Sequence, residues 1–159
     1  MTYECAAYFK LLLLCGYKDE LETYIDLALE EQDPLSDVVL KLSTASTDDK
    51  KMLSVLNEYL LQVNDSDIDY NGSVFDLVMS FLKRKYVEDS MSMADITQLM
   101  YQIAYYSDRY FDEPWSTMYY MGDFFDESEN GFVDKEDYKR KFDAFINSLQ
   151  HPSLAIGQI

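Results

Sequence analysis

The sequence predicts an all-α fold. Apolar residues recur at helical spacing along most of the chain, and no segment sustains the every-other-residue alternation of a half-buried strand. Gly and Pro are scarce, 5 and 3 in 159 residues, which favours long regular elements over many turns. Capping signals punctuate the stripes, so seven to eight helices of about three turns each are expected. With 48% apolar residues the chain can bury a core of its own, and residues 1–150 are expected to form a single domain.

Residues 3–15 make a first apolar helix, and Gly16 supplies its C-terminal cap. Asp19 starts a second, with Leu21, Tyr24, Ile25, Ala28 and Leu29 as its inward stripe. Asp33-Pro34 reads as a cap and first-turn proline for a third helix carrying Leu35, Val38, Val39 and Leu42. The loop STASTDD leads to a fourth with Met52, Leu53, Leu56, Tyr59, Leu60 and Val63. NDSDIDYNGS is the clearest break. Ser73, with Asp76 three residues on, opens a fifth helix striped by Val74, Leu77, Val78, Phe81 and Leu82. Its cluster Lys83-Arg84-Lys85 falls in the last turn, where cations suit the helix dipole, and needs no binding role. Ser92 and Asp95 form a capping box for a sixth helix with Ile96, Leu99, Met100 and Ile103. Glu113-Pro114 starts a seventh with Trp115, Met118, Tyr119 and Gly122 on one face. Asp134 starts an eighth with Tyr138, Phe142, Phe145, Ile146 and Leu149. Short connections make consecutive helices antiparallel hairpins, in one bundle or a short irregular stack. Residues 151–159, with the lone His151, read as a loose tail.

Charge sorts the functional classes. Thirty acids against 13 bases give a net charge of -17, which repels phosphate backbones and attracts basic proteins. Solubility alone would also account for it. No apolar run reaches the roughly 20 residues of a membrane span, and the start MTYECAAYFKLLLLCG lacks a signal peptide's basic segment and cleavage site. Cys5 and Cys15 read as free thiols in a reducing compartment. A cytoplasmic protein is expected.

The stretch DESENGFVDKED, residues 126–137, resembles an EF-hand calcium loop. Asp126, Ser128, Asn130, the Phe132 carbonyl, Asp134 and Asp137 fall at the ligand positions, and Gly131 at the sharp turn. Asp137 stands where a bidentate Glu is usual, which weakens calcium and leans toward magnesium. The partial copy Asp67-x-Asp69-x-Asn71-Gly72 has Val78 at its last ligand position. A turn and a helix start explain the same residues without an ion: Asn130-Gly131 as the turn, Asp134 as N-cap, Val133 and Tyr138 as a hydrophobic staple. No cofactor is expected beyond that possible Ca or Mg. The chain has no Gly-rich phosphate loop, HExxH or GxSxG, and the carboxylate pair Glu22 and Asp26 lacks the Glu-x-x-His partners of a di-metal bundle. It is not expected to be an enzyme.

Residues 105–137 stand out instead, with ten acids, two bases and ten aromatics. One helical face cannot bury so many rings. Trp115, Tyr119 and Phe125 fit the seventh helix's buried stripe. Tyr106, Tyr110 and Tyr120, with Asp108, Asp112, Glu113 and Asp123, are the candidate partner-binding residues, since aromatics anchor interfaces and acids select a basic partner. The run DEPWSTMYYMGDFFDESENGFVDKEDYKRKFDAFINSL is similar in style to helical immunity proteins of bacterial polymorphic-toxin and contact-dependent inhibition systems. The resemblance covers about a quarter of the chain and transfers no binding residue. It implies a stoichiometric inhibitor of a cognate toxin, often a basic nuclease, whose Lys and Arg the acids would meet. The alternatives are an EF-hand-like Ca- or Mg-binding protein and a helical adaptor.

Overall fold

A computed structural model describes residues 1–148 of the chain. The expected all-α fold is found: eight α-helices and no strand occur among the described residues. They are α1 Tyr3–Leu14, α2 Asp19–Glu31, α3 Asp37–Ala45, α4 Asp49–Leu60, α5 Phe75–Val87, α6 Met93–Tyr106, α7 Trp115–Glu129 and α8 Lys135–Ile146. Leu149 and the tail expected at 151–159, with His151, lie outside the described residues. The described chain divides into two compact units, the first Met1–Val74 and the second beginning at Phe75.

In the first unit α1 is the central helix. It buries residues all round, from Cys5 to Leu13, as a helix without a polar face must. It packs on α4, α4 on α3 and α3 on α2. Side chains close the circuit from α2 to α1: Phe9 meets Tyr24 at 5.3 Å, and the Tyr8 hydroxyl donates to the Glu20 carboxylate. Gly16 ends α1 as expected. At φ +83 it lets the Tyr17 N–H reach the Leu12 carbonyl and its own N–H reach that of Leu13. Two ends differ from expectation. Ser36, not Asp33, stands at the N-cap of α3, so Pro34 lies in the preceding loop. In the break before α5, Asp69 does the capping assigned to Ser73. Its carboxylate accepts from the Gly72 and Ser73 N–H groups and the Ser73 hydroxyl, which hold it below the usual carboxylate range. A Cβ on Gly72 would press on that carboxylate.

The second unit is a closed four-helix arrangement, α5 on α6, α6 on α7, α7 on α8 and α8 on α5. Trp115, Phe81, Phe142, Met79 and Leu82 are almost fully buried in it, and Trp115 meets Phe75 edge-on at 5.1 Å. Ser92 and Asp95 form the expected capping box of α6. One polar pair crosses the core. The Thr97 hydroxyl donates to the Met93 carbonyl, so the buried Tyr138 hydroxyl donates to Thr97. Burial pushes Tyr138 up to about 12.

Candidate functional site

The candidate partner-binding residues lie on the end of α6, the segment joining it to α7, and the outer face of α7. Ser107 closes α6. Its hydroxyl donates to the Ala104 carbonyl at 2.6 Å and accepts the Arg109 N–H at 3.2 Å. Asp108 then adopts φ +57, a left-handed conformation that Asp tolerates better than most residues. The Asp112 N–H bonds the Arg109 carbonyl and the Ser116 N–H bonds the Asp112 carbonyl, which turns the chain into α7. Glu113 accepts from the Thr117 hydroxyl with both oxygens, at 2.7 and 2.9 Å, and this holds it below the usual carboxylate range.

These turns assemble a continuous ladder of rings. Tyr101 stacks on Tyr119 (4.7 Å, 28°), Tyr119 on Tyr110 (5.1 Å, 28°), and Tyr110 on Tyr105 (6.0 Å, 18°). Tyr106 meets Tyr105 and Tyr120 meets Tyr119, both edge-on at 5.7 Å, and Phe111 touches Tyr110 at 4.2 Å. The Tyr101 and Tyr119 hydroxyls lie 3.2 Å apart. That hydrogen bond, with desolvation and the charge of Asp123 among further causes, pushes Tyr119 up to about 12. Gly122 allows the close approach of the two helices, since a Cβ there would lie 3.2 Å from the Tyr101 ring. Phe111 is 77% exposed, Tyr120 57%, Tyr105 54% and Tyr106 43%.

Of the residues expected from sequence, Tyr106, Tyr110 and Tyr120 all join the ladder, but Tyr106 does so only through Tyr105 and Tyr120 only through Tyr119. Asp108, Asp112, Glu113 and Asp123 are all exposed around it. Among the described residues no cation pairs with Asp108, Asp112 or Asp123. Sequence selection passed over Tyr101, Tyr105 and Phe111; the i, i+4 spacing of Tyr101 and Tyr105 was the available signal. The buried stripe assigned to α7 needs correction. Trp115 is buried, while Tyr119 and Phe125 are only half-buried.

Residues 126–137 do not form one loop. Asp126 to Glu129 are the last turn of α7, and Lys135 to Asp137 the first turn of α8. Between them the chain follows the same glycine-ended pattern as at Gly16. Gly131, at φ +78, bonds the Ser128 carbonyl, and the Phe132 N–H bonds that of Glu127. The buried Ser128 hydroxyl donates to the Phe125 carbonyl. The Asn130 amide donates to the Asp126 carbonyl, Asp134 caps α8 through the Glu136 N–H, and Asp137 pairs with Arg140. Four of the six candidate ligands, Ser128, Asn130, Asp134 and Asp137, are thus engaged in separate local contacts, and among the described residues no three acid, His or Cys groups converge on a common point. In the other unit Glu22, half of the carboxylate pair seen in sequence, is taken up by Lys18 at 2.9 Å.

Comparison with family models, with curated proteins and with solved structures returns no match.

Proposed function

We propose that this chain is a non-enzymatic binding module that captures a basic protein through the α6–α7 surface. The supporting observation is the ladder itself: seven touching aromatic rings, four of them exposed, ringed by carboxylates without cationic partners. Large rings anchor interfaces because they bring much apolar area at little entropic cost, and unpaired charge at the rim selects and steers the partner. The net charge of -17 supports a positively charged partner. The immunity-protein resemblance gives this a biological form: a cytoplasmic, stoichiometric inhibitor whose partner is a toxin domain.

No helix of the described residues is long and apolar enough to cross a membrane, which fits a module that meets its partner in water. The test is capture from the native host with the wild-type chain and with the triple variant Tyr106→Ala, Phe111→Ala, Tyr120→Ala. A basic protein retained by the wild type and lost by the variant is expected. An acidic partner, or equal capture by both, sinks the reading. For the immunity role, co-expression with the captured protein should rescue growth, and its association rate should fall as salt screens the exposed charges.

A further inference from the structure

The geometry points to arginine, rather than positive charge in general, as the group this surface reads. The inference rests on the reading of α6–α7 as a protein-binding surface and specifies the chemistry of what docks there. Three successive contacts, Tyr101 to Tyr119 to Tyr110 to Tyr105, keep the rings within 28°, 28° and 18° of parallel. Each ring of the stack thus lies close to parallel with its neighbour, and the last member, Tyr105, is 54% exposed. A guanidinium is planar and weakly hydrated, so it continues a stack of parallel planes. An ammonium is a compact, strongly hydrated point charge that gains little from parallel geometry.

The surface carries one cation of its own, the half-buried Arg109 in the segment joining α6 to α7. Elsewhere the chain covers rings with lysine, Lys141 at 4.1 Å from the centre of Phe124 and Lys85 at 5.6 Å from that of Phe81. No cation of the described residues lies over a ring of the ladder. The second half of arginine recognition is a carboxylate at the edge of the plane, where two N–H groups donate side by side. Asp108, Asp112 and Asp123 are exposed on the segments carrying the rings and have no cationic partner among the described residues. The occupant is thus an arginine-bearing protein segment. Its guanidinium planes lie on the open tyrosine faces and its N–H edges on the aspartates.

Three synthetic peptides of one neutral framework separate the ingredients: one with arginines, one with lysines at the same positions, one with citrulline, which keeps the plane and loses the charge. Each is titrated into the full chain at low ionic strength, with tyrosine ring resonances and heat as readouts. The arginine peptide should bind at least about fivefold tighter than the lysine peptide, given the usual strength of exposed cation–π contacts. Citrulline should bind weakest. In the variant Tyr105→Leu, Tyr106→Leu, whose changes are at exposed positions and alter no charge, arginine binding should fall to the level of lysine binding, so that the arginine advantage vanishes. An unchanged melting temperature verifies its fold. Equal binding of arginine and lysine peptides overturns the inference and leaves the basic-partner reading standing. An arginine advantage that survives in the leucine variant also overturns it. If no peptide binds while the wild type still captures a basic protein from the host, arginine reading falls alone; if that capture fails too, both fall.

Discussion

Asp108 occupies the left-handed region at φ +57 just past the end of α6, where a Cβ crowds the backbone. Asp108→Gly should hold or raise stability, and Asp108→Val should lower it by about 1–2 kcal/mol, both read from urea unfolding. If Val is harmless, the turn is not fixed as described. Tyr138 offers a prediction whose sign changes with pH. At neutral pH Tyr138→Phe leaves the Thr97 oxygen without its donor and should cost about 1 kcal/mol. The Tyr138 hydroxyl has its folded pKa raised to about 12 from an ordinary 10. Its contribution is therefore intact below pH 10 and lost as pH climbs toward 12, because the unfolded chain ionises first. The stability gap between wild type and variant should close and then reverse over that window, by about 2–3 kcal/mol in all. A gap independent of pH would mean that the phenol is not buried. Residue by residue, the sequence marked Tyr106, Tyr110 and Tyr120 but misplaced Tyr119. At about 100° per residue Tyr119 lies one step round the helix from the buried Met118, at the margin of the stripe. Periodicity cannot say on which side of that margin a ring falls; the approach of Tyr101 at Gly122 decides it.

Helix ends carry the predictions at the scale of elements. Gly131 sits at φ +78 in the turn between α7 and α8. Gly131→Ala should cost about 1 kcal/mol of stability in thermal or urea unfolding, since any side chain is strained there. Because Asp126 and Ser128 belong to the last turn of α7 rather than to an open loop, millimolar calcium should leave the melting temperature unchanged. A rise of several degrees would mean that this turn unwinds to wrap an ion. The interiors of the helices were largely legible because apolar spacing is set by the core each must cover, although Leu29, placed in the inward stripe of α2, is exposed. Their starts were less so. Pro34 and Ser73 each looked like an opening signal, yet Ser36 and Asp69 hold those positions. Local sequence offers several competent caps within a few residues, and tertiary packing selects among them.

For the whole molecule, like charge dominates. The described ion pairs are mostly exposed neighbours on one helix, such as Lys18 with Glu22 and Arg140 with Asp137, and contribute little each. A net charge of -17 then works against compactness, and sodium chloride should raise the melting temperature by screening it. A fall would assign the balance to local pairs instead. Composition made the fold class and the acidity plain from the start. The division at Phe75 was not, because it falls where one helical stretch, Tyr70–Val74, runs directly into α5, and local sequence gives no sign of it until contacts are known. The chain has one tryptophan, Trp115, sealed within the second unit beside Phe75. Its fluorescence is thus a native gauge of one half of the protein, while circular dichroism sums over both. Following the two signals through a single denaturant series tells, with no label attached, whether the halves let go together or in turn.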